Sequence, residues 1–335
     1  MACPLTNSPD HKISELRWAS IDIAVLLPCY NEEATIVQVI EAFRRKLPEA
    51  RIYVYDNDSR DQTADRARSA GAVVHSERNR GKGNVLRRMF VDIEADIYIL
   101  SDGDMTYDIS EIEVHLNHML QQRIDMLVGK RQPEHGSAFP PAHIFGNRFF
   151  NRAASLLFGS TFQDIFSGFR LLSRRFVKSF PAVSKGFEIE LELAVHATNL
   201  RVPVSEVPVT YRPRPEGSYS KLSTLPDGFR ILRTLLLLFM EVRPFLFFGM
   251  WAICFGLVSV VLGYPLIITF KETGLVPRLP TAILATGLML IGFMALACAL
   301  ILDNVGKGRH EAKRLQYLSY GLIPSNNVPR GKNKQ

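Results

Sequence analysis

Cysteine is scarce, with four in 335 residues, and none is paired at the spacing of a zinc site or a redox motif. Cys3 is terminal, Cys29 follows an apolar run, and Cys254 and Cys298 lie inside long apolar stretches. All four read as packing residues of a reducing compartment. A disulfide-stapled secreted module is excluded on that count, and a disordered chain is excluded by a hydrophobic fraction of 47%. No glycine-rich turn follows the first β-branched run, which removes the dinucleotide fingerprint of NAD enzymes. No secretory leader is expected, because His11, Lys12, Glu15 and Arg17 break any apolar core in the first 20 residues. Net charge is +7, yet residues 1–200 carry 24 basic and 26 acidic side chains. A nucleic-acid-binding face on the folded part is therefore not expected.

The positive excess sits late in the chain, with +3 over residues 201–243, +1 over 244–302 and +5 over 303–335. It brackets two apolar segments. Pro244–Phe270 holds 27 consecutive uncharged residues and Thr281–Leu302 holds 22, and about 20 suffice to cross a bilayer core. Buried core helices of this length would carry a polar stripe. Arg230, Arg233 and Arg243 precede this hairpin and Lys307, Arg309, Lys313 and Arg314 follow it, against only Lys271 and Arg278 in the connecting loop. The bias places both termini in the cytoplasm. Just upstream, Asp227–Glu241 combines Phe229, Ile231 and a leucine run with Arg230 and Arg233, the pattern of a helix lying on a membrane surface.

The length leaves room for roughly two domains. Along the first 130 residues, β-branched runs alternate with helical periodicity. Strands are predicted at Ile21–Leu27, Ile52–Tyr55, Ala72–His75, Ile97–Leu100 and Met126–Val128. Helices are predicted at Ala34–Lys46, Asp61–Ala70, Lys82–Ile93 and Ile109–Gln121. Such alternation makes an α/β, Rossmann-like fold with a mostly parallel sheet, where ligands bind beyond the carboxyl ends of the strands. Those ends carry Pro28-Cys29-Tyr30-Asn31-Glu32-Glu33, then Asp56-Asn57-Asp58-Ser59-Arg60-Asp61, then Arg80-Gly81-Lys82-Gly83, then Asp102-Gly103-Asp104. Asp61 suits a helix N-cap. The Asp102/Asp104 pair is either a solvated turn or two hard oxygen donors that repel each other unless a cation such as magnesium or manganese lies between them.

In this order the P-x-Y-N-E, D-x-x-S-x-D-x-T, R-G-K-G and D-x-D motifs resemble glycosyltransferase family 2, inverting enzymes with nucleotide-sugar donors. Downstream, Gly129-Lys130-Arg131, Asp164–Arg170, Gly186-Phe187-Glu188, Glu206–Val209 and Arg214–Leu222 are similar to the dolichol- and polyprenyl-phosphate sugar synthases. The resemblance covers about residues 21–225. It implies a nucleotide-sugar-binding (GT-A type) domain there, with Pro28, Tyr30, Glu32, Asp56, Lys82 and Asp102 around the donor. It also implies Mg2+ or Mn2+ on Asp102 and Asp104. The implied acceptor is a polyprenyl phosphate, whose oxygen is ionised near neutral pH and needs positioning and charge screening more than a base. Arg131, Arg214, Ser220 and Lys221 are the matched candidates, with Arg148 a fourth cation, and Asp104, Arg131, Arg214 and Lys221 would carry catalysis. A homo-oligomer follows only by analogy with two-span members.

The implied organisation is an N-terminal extension (1–20), a catalytic domain (21–225) and an interfacial helix (226–243). Two transmembrane helices (244–302) and a basic cytoplasmic tail (303–335) follow. The implied reaction transfers sugar to polyprenyl phosphate at the cytoplasmic membrane face, for a cell-envelope glycan or lipid. Asn57-Asp58 and Thr106 stand where the mannose synthases often have Asp-Gly and Gln. These departures favour a UDP-hexose or UDP-N-acetylhexosamine over GDP-mannose, and the short Thr106 is not carried over as a metal ligand. A processive polysaccharide synthase would need a Q-x-x-R-W motif, which neither Trp18 nor Trp251 supplies. A silent membrane scaffold is the remaining alternative, opposed by the D-x-D pair and the Arg214–Lys221 segment.

Overall fold

The computed structural model describes residues 21–134, 141–159, 162–215 and 224–321. It divides into two units, Met1–Leu232 with Lys313–Gln335, and Arg233–Ala312. In the first unit the order is β1 (Ile23–Cys29), α1 (Ile36–Lys46), β2 (Arg51–Asp56), α2 (Thr63–Ser69), β3 (Val73–Ser76), α3 (Lys82–Asp92) and β4 (Ile97–Leu100). Then come α4 (Ile112–Gln121), β5 (Met126–Pro133), α5 (Pro141–Phe158), β6 (Arg170–Ser173), α6 (Arg174–Ser179), α7 (Ile189–Leu200) and β7 (Val204–Tyr211). The predicted strands and helices of the first 130 residues all appear, with ends shifted by up to three residues except at β5, which runs five residues beyond the predicted Val128 because it goes on pairing with β7.

The residues explain the layers. From Ile23 to Leu27 every side chain of β1 is buried, as a strand covered on both faces requires. In α1, Ile36, Val39, Ile40 and Phe43 recur at helical spacing and seal one face against the sheet. Val25, Leu27, Ile97, Ile99, Leu127 and Leu171 meet them from the strands. Full burial of each such side chain contributes roughly 1.5–3 kcal/mol.

The seven strands lie in the order β3-β2-β1-β4-β6-β5-β7. All neighbours are parallel except β6, which runs against both β4 and β5. This reversal positions the site. Arg170, the first residue of β6, pairs with Leu100 and with Val128, so the Phe162–Phe169 segment is delivered past the end of β4 and beside the second half of β5. Strand β7 pairs with β5 at the outer edge, which is why Pro208 can sit in it.

Helix α8 (Thr224–Val242) covers the expected surface helix and exposes Phe229, Leu236 and Leu237. The second unit is built on α9 (Pro244–Thr273) and α10 (Leu279–Ser319), both long and apolar enough to cross a membrane by length and composition. Ala285, Gly292 and Ala299 are the buried residues of α10, spaced by seven. Ser259 Oγ of α9 donates to the Ala285 carbonyl at 2.7 Å, and a Cβ on Gly292 would stand 3.3 Å from the Ala252 carbonyl. Small residues at the seam let two apolar helices approach closely. Ile253, Val261, Ile283, Phe293 and Met294 all point outward and are more than half exposed.

Candidate active site

The end of β2 is stapled to the segment after β3 by one side chain. Asn57 donates to the carbonyls of Glu77 (2.9 Å) and Asn79 (2.8 Å), and its oxygen accepts from the N–H of Gly81 (2.7 Å). Asn57 therefore shapes the turns at this end of the sheet, its amide fully engaged by backbone groups. Asp61 accepts from the N–H of Thr63 at the first turn of α2 and from the N–H of Glu33, tying β1's loop to β2's. Beside this staple, Asp56 is buried, with Oδ2 accepting from the Ser59 N–H and Oδ1 left without a partner. Tyr30 is half-buried, with the Arg80 guanidinium 5.2 Å from its ring centre and Arg80 in turn bound to Asp58. Pro28 is half-buried in β1 and Glu32 is buried, its N–H donating to Thr63 Oγ1.

The R-G-K-G turn opens α3. Gly81 has φ 122°, and a Cβ there would lie 2.2 Å from the Lys185 carbonyl, so only glycine lets the two backbones meet. The turn thereby sinks Lys82 beneath the site. Its Nζ lies 2.6 Å from Asp102 Oδ1 and 2.7 Å from Glu190 Oε1. Burial alone would lower the Lys82 pKa, but the two carboxylates outweigh it and hold the ammonium charged. Glu190, in the first turn of α7, is itself pushed up by burial, and its Oε2 has no partner. Sequence reading missed this residue.

The D-x-D turn is fastened to α1 by Thr35, whose hydroxyl donates to the Gly103 carbonyl at 2.6 Å. Asp104 Oδ1 accepts from the Thr106 hydroxyl (2.6 Å) and N–H (3.2 Å), so Thr106 orients Asp104. Asp104 Oδ2 pairs with Arg214 Nη2 at 2.7 Å. Burial first, then the Asp102 charge, push the Asp104 pKa upward, while Arg214 and Thr106 pull it down. Asp102 faces the Phe162–Phe169 segment, where a Cβ on Gly168 would stand 2.3 Å from Oδ2. A cavity of about 490 Å³ opens beside this turn, walled by Val39, Phe43, Ser101, Asp102, Met105 and Tyr107.

Could this turn hold a divalent cation? Among the described residues no group of three or more His, Cys, Asp and Glu side chains converges, so the chain offers the two carboxylates. Asp102, Asp104 and Glu190 carry three negative charges against the two of Lys82 and Arg214, and each aspartate already has a cation against it. Hard oxygens, excess negative charge and too few ligands for a complete protein cage fit Mg2+ or Mn2+ shared with a diphosphate.

Across the sheet, Arg131 lies near the end of β5 and is clamped by Asp164. The Arg131 N–H, Nε and Nη2 reach the two Asp164 oxygens at 3.1, 2.8 and 2.7 Å. Burial opposes the charge of both groups, yet the pairing raises the Arg131 pKa and lowers that of Asp164. Glu206 accepts from the N–H groups of Gln163 and Asp164, and Ser167 Oγ donates to the Gly129 carbonyl. Fully buried Arg170 braces the segment from below through the carbonyls of Ile165, Ser167 and Glu190.

Strand β7 supplies the last cation. Past its end, the Arg212 N–H donates to the Thr106 carbonyl, and Tyr107 bridges Tyr211. The chain is thus laid along the D-x-D turn, which brings Arg214 to Asp104. Arg131 stacks over the Tyr211 ring at 5.6 Å, and Tyr211 is the last residue of the strand that leads to Arg214. Arg214 Nη1 is buried without a partner. Arg148 is exposed on α5, and no described contact joins it to these groups. Ser220 and Lys221 lie outside the described residues.

Residues 24–180 match the profile described as Glycosyl transferase family 2. The chain is similar to glycosyltransferase AglJ of Haloferax volcanii, 33% identical over 251 residues, spanning 74% of this chain and 82% of AglJ. A dolichyl-phosphate hexose transferase of the same organism is 26% identical over 222 residues, spanning 66% of this chain and 96% of that one. Glucosyl-3-phosphoglycerate synthase from Mycobacterium tuberculosis, solved with Mn2+, UDP-glucose and phosphoglyceric acid, superposes with a TM-score of 0.52. It shares 22% identity over 70% of this chain and 85% of that one, and so bears on the fold alone. With a GT-A-like mixed sheet and a D-x-D turn at its end, the chain is a glycosyltransferase and belongs to glycosyl transferase family 2.

Proposed function

We propose that this glycosyltransferase moves a hexose or N-acetylhexosamine from a UDP-sugar to a polyprenyl phosphate at a membrane surface. The product is a prenyl-phosphate-linked sugar for a cell-envelope glycan or lipid. The observation that carries this reading is two arginines linked through strand β7: Arg214, just past its end, pairs with the D-x-D carboxylate Asp104, and Arg131 lies over the ring of its last residue, Tyr211. An acidic pair suits the metal-bound diphosphate of a donor. A second set of cations close by suits an acceptor that is itself an anion.

The unpartnered atoms support the same assignment. Buried polar groups are nearly always satisfied, so an orphan lining an open site marks where a ligand's groups belong. Asp56 Oδ1 would accept a base or ribose hydrogen, Glu190 Oε2 a sugar hydroxyl, and Arg214 Nη1 would donate to phosphate oxygen. Asp102 and Asp104 would hold the divalent cation, whose contribution is to neutralise the departing nucleoside diphosphate. An oxygen of the lipid monophosphate attacks the anomeric carbon on the face opposite the diphosphate. The anomeric carbon–oxygen bond breaks, and its electron pair leaves with the nucleoside diphosphate. Arg131, held rigid by Asp164, orients the attacking phosphate and screens it from the diphosphate.

A lipid acceptor is further supported by the dolichyl-phosphate hexose transferase relative and by the outward apolar side chains of α9 and α10. In this reading the two helices span the membrane. The basic flanks Arg230, Arg233 and Arg243, with Lys307, Arg309, Lys313 and Arg314, keep the catalytic unit and both termini cytoplasmic. The test is incubation of the purified protein with undecaprenyl phosphate and a panel of radiolabelled UDP- and GDP-sugars with Mg2+ or Mn2+. One UDP-sugar should yield labelled lipid. Labelling from GDP-mannose alone overturns the donor assignment, and labelling from none overturns the reaction.

A further inference from the structure

The two aspartates of the D-x-D turn are neutralised in different ways. Lys82 is buried under Asp102 and shared with Glu190, whose side chain is only 4% exposed, and both cation and carboxylate are anchored in helices α3 and α7. Arg214 lies on irregular chain beyond β7, its side chain is 26% exposed, and the Asp104 pair is its described contact. One cation is built in; the other sits where it can leave.

Asp104 itself has no open side. Thr106 occupies Oδ1 through two hydrogen bonds, Arg214 occupies Oδ2, and the carboxylate is 4% exposed. Ligation of a divalent cation by Asp104 thus requires Arg214 to move, since a guanidinium and a dication beside the same oxygen repel each other strongly in a buried setting. Arg214 is prepared for a second anion, because Nη1 is buried and unpartnered while Nη2 is held by Asp104.

We propose that Arg214 is a removable cap on the metal site: it neutralises Asp104 in the empty protein, and on release presents its guanidinium to the acceptor phosphate. This rests on the reading of Asp102 and Asp104 as the metal ligands. The consequence is coupling. Filling the metal site frees the residue that binds acceptor phosphate, and phosphate that captures Arg214 opens Asp104, so each ligand favours the other by the same factor. The filled metal site and the engaged acceptor phosphate then favour one another whichever arrives first, and no separate lid is needed to couple them.

The experiment measures Mn2+ binding to the full-length protein in nanodiscs, by electron paramagnetic resonance of free Mn2+, with no turnover involved. Without nucleotide, R214Q should bind Mn2+ about tenfold more tightly than wild type, within the range usual for such couplings. Farnesyl monophosphate should tighten Mn2+ binding to wild type and have a much smaller effect on R214Q. Equal or weaker Mn2+ affinity in R214Q, with wild-type binding intact, overturns the cap, as does an equal farnesyl phosphate effect in both proteins. Should R214Q not fold, R214K, whose point charge cannot reproduce the guanidinium geometry, is measured instead, and an affinity unchanged from wild type again overturns the cap. Failure of wild type to show any Mn2+ binding that D104N abolishes, with or without UDP, removes the metal reading as well, a result distinct from loss of the cap alone.

Discussion

The two halves of the catalytic sheet present their side chains differently. In the donor half, β3-β2-β1-β4, each functional loop follows its own strand in chain order, and neighbouring loops are stitched by short polar bonds such as those of Asn57 and Asp61. In the half read as the acceptor side, β6-β5-β7, the contacts are instead made by charged side chains: Arg131 with Asp164, Asp104 with Arg214, and Arg170 with the carbonyl of Glu190. The antiparallel β6 brings the segment of Asp164 to Arg131, and the path of the chain past β7 along the D-x-D turn brings Arg214 to Asp104. The donor half is joined loop to loop largely by side-chain bonds to backbone groups, whereas the acceptor half is held largely by ion pairs in which a change at one residue leaves its partner's charge uncovered.

Substitutions should expose that contrast. The largest effect is expected at the junction of the halves, where D104N removes charge from the site centre. Turnover should fall about 10³-fold, in the range of other lost electrostatic stabilisers, with the circular dichroism spectrum retained. Retained turnover would remove Asp104 from the chemistry. Next comes D164N, which leaves Arg131 buried without its counter-charge. Breaking a buried pair costs about 3–5 kcal/mol, so the denaturation midpoint should drop, and the KM for lipid phosphate should rise more than that for nucleotide sugar. A smaller loss is expected from N57A on the donor side. It strands one N–H and two carbonyls for about 1–3 kcal/mol, and the KM for nucleotide sugar should rise while that for lipid stays. If N57A and D164N disturb both substrates alike, the two halves do not act separately.

The smallest effect concerns pH. His115 of α4 is buried against Phe169, and burial, opposed by Glu111, holds its pKa below the ordinary histidine value. Its folded pKa is depressed relative to the unfolded chain, so the neutral ring's contribution is present above about pH 6.5 and is lost as pH falls below it. Thermal denaturation at pH 7.5 and 5.5 should show a smaller acid loss for H115F than for wild type. An equal loss would mean that His115 takes up its proton over the same pH range in the folded and unfolded chains.

The contrast also explains what could be read beforehand. Strands β1, β2 and β4 are largely buried apolar runs punctuated by polar turns, a local signal, and Ile97–Leu100 has the predicted bounds. Strand β6 is four residues long, with Leu171 and Leu172 between two polar ends, and β7 carries Pro208. Neither has the periodicity that marks a strand, because their existence depends on which neighbours they meet. The site follows the same division. Asp56, Asp102 and Asp104 stand out at strand ends, and Arg131 and Arg214 through motif resemblance. Glu190 lies among buried apolar residues of α7, and its meaning comes only from Lys82 of α3 across the fold. A lysine between glycines, sunk below a D-x-D turn, was the one available hint that a further carboxylate was required.

Sugar transfer to a lipid phosphate is tested most directly by phosphorus NMR of a single reaction containing nanodisc-held protein, undecaprenyl phosphate, Mn2+-free Mg2+ buffer and the UDP-sugar chosen by the labelling panel. The phosphomonoester signal should be replaced by a phosphodiester, with one UDP released per diester formed and neither change in D104N. Release of UDP while the phosphomonoester persists would show that the sugar goes elsewhere and would contradict the account.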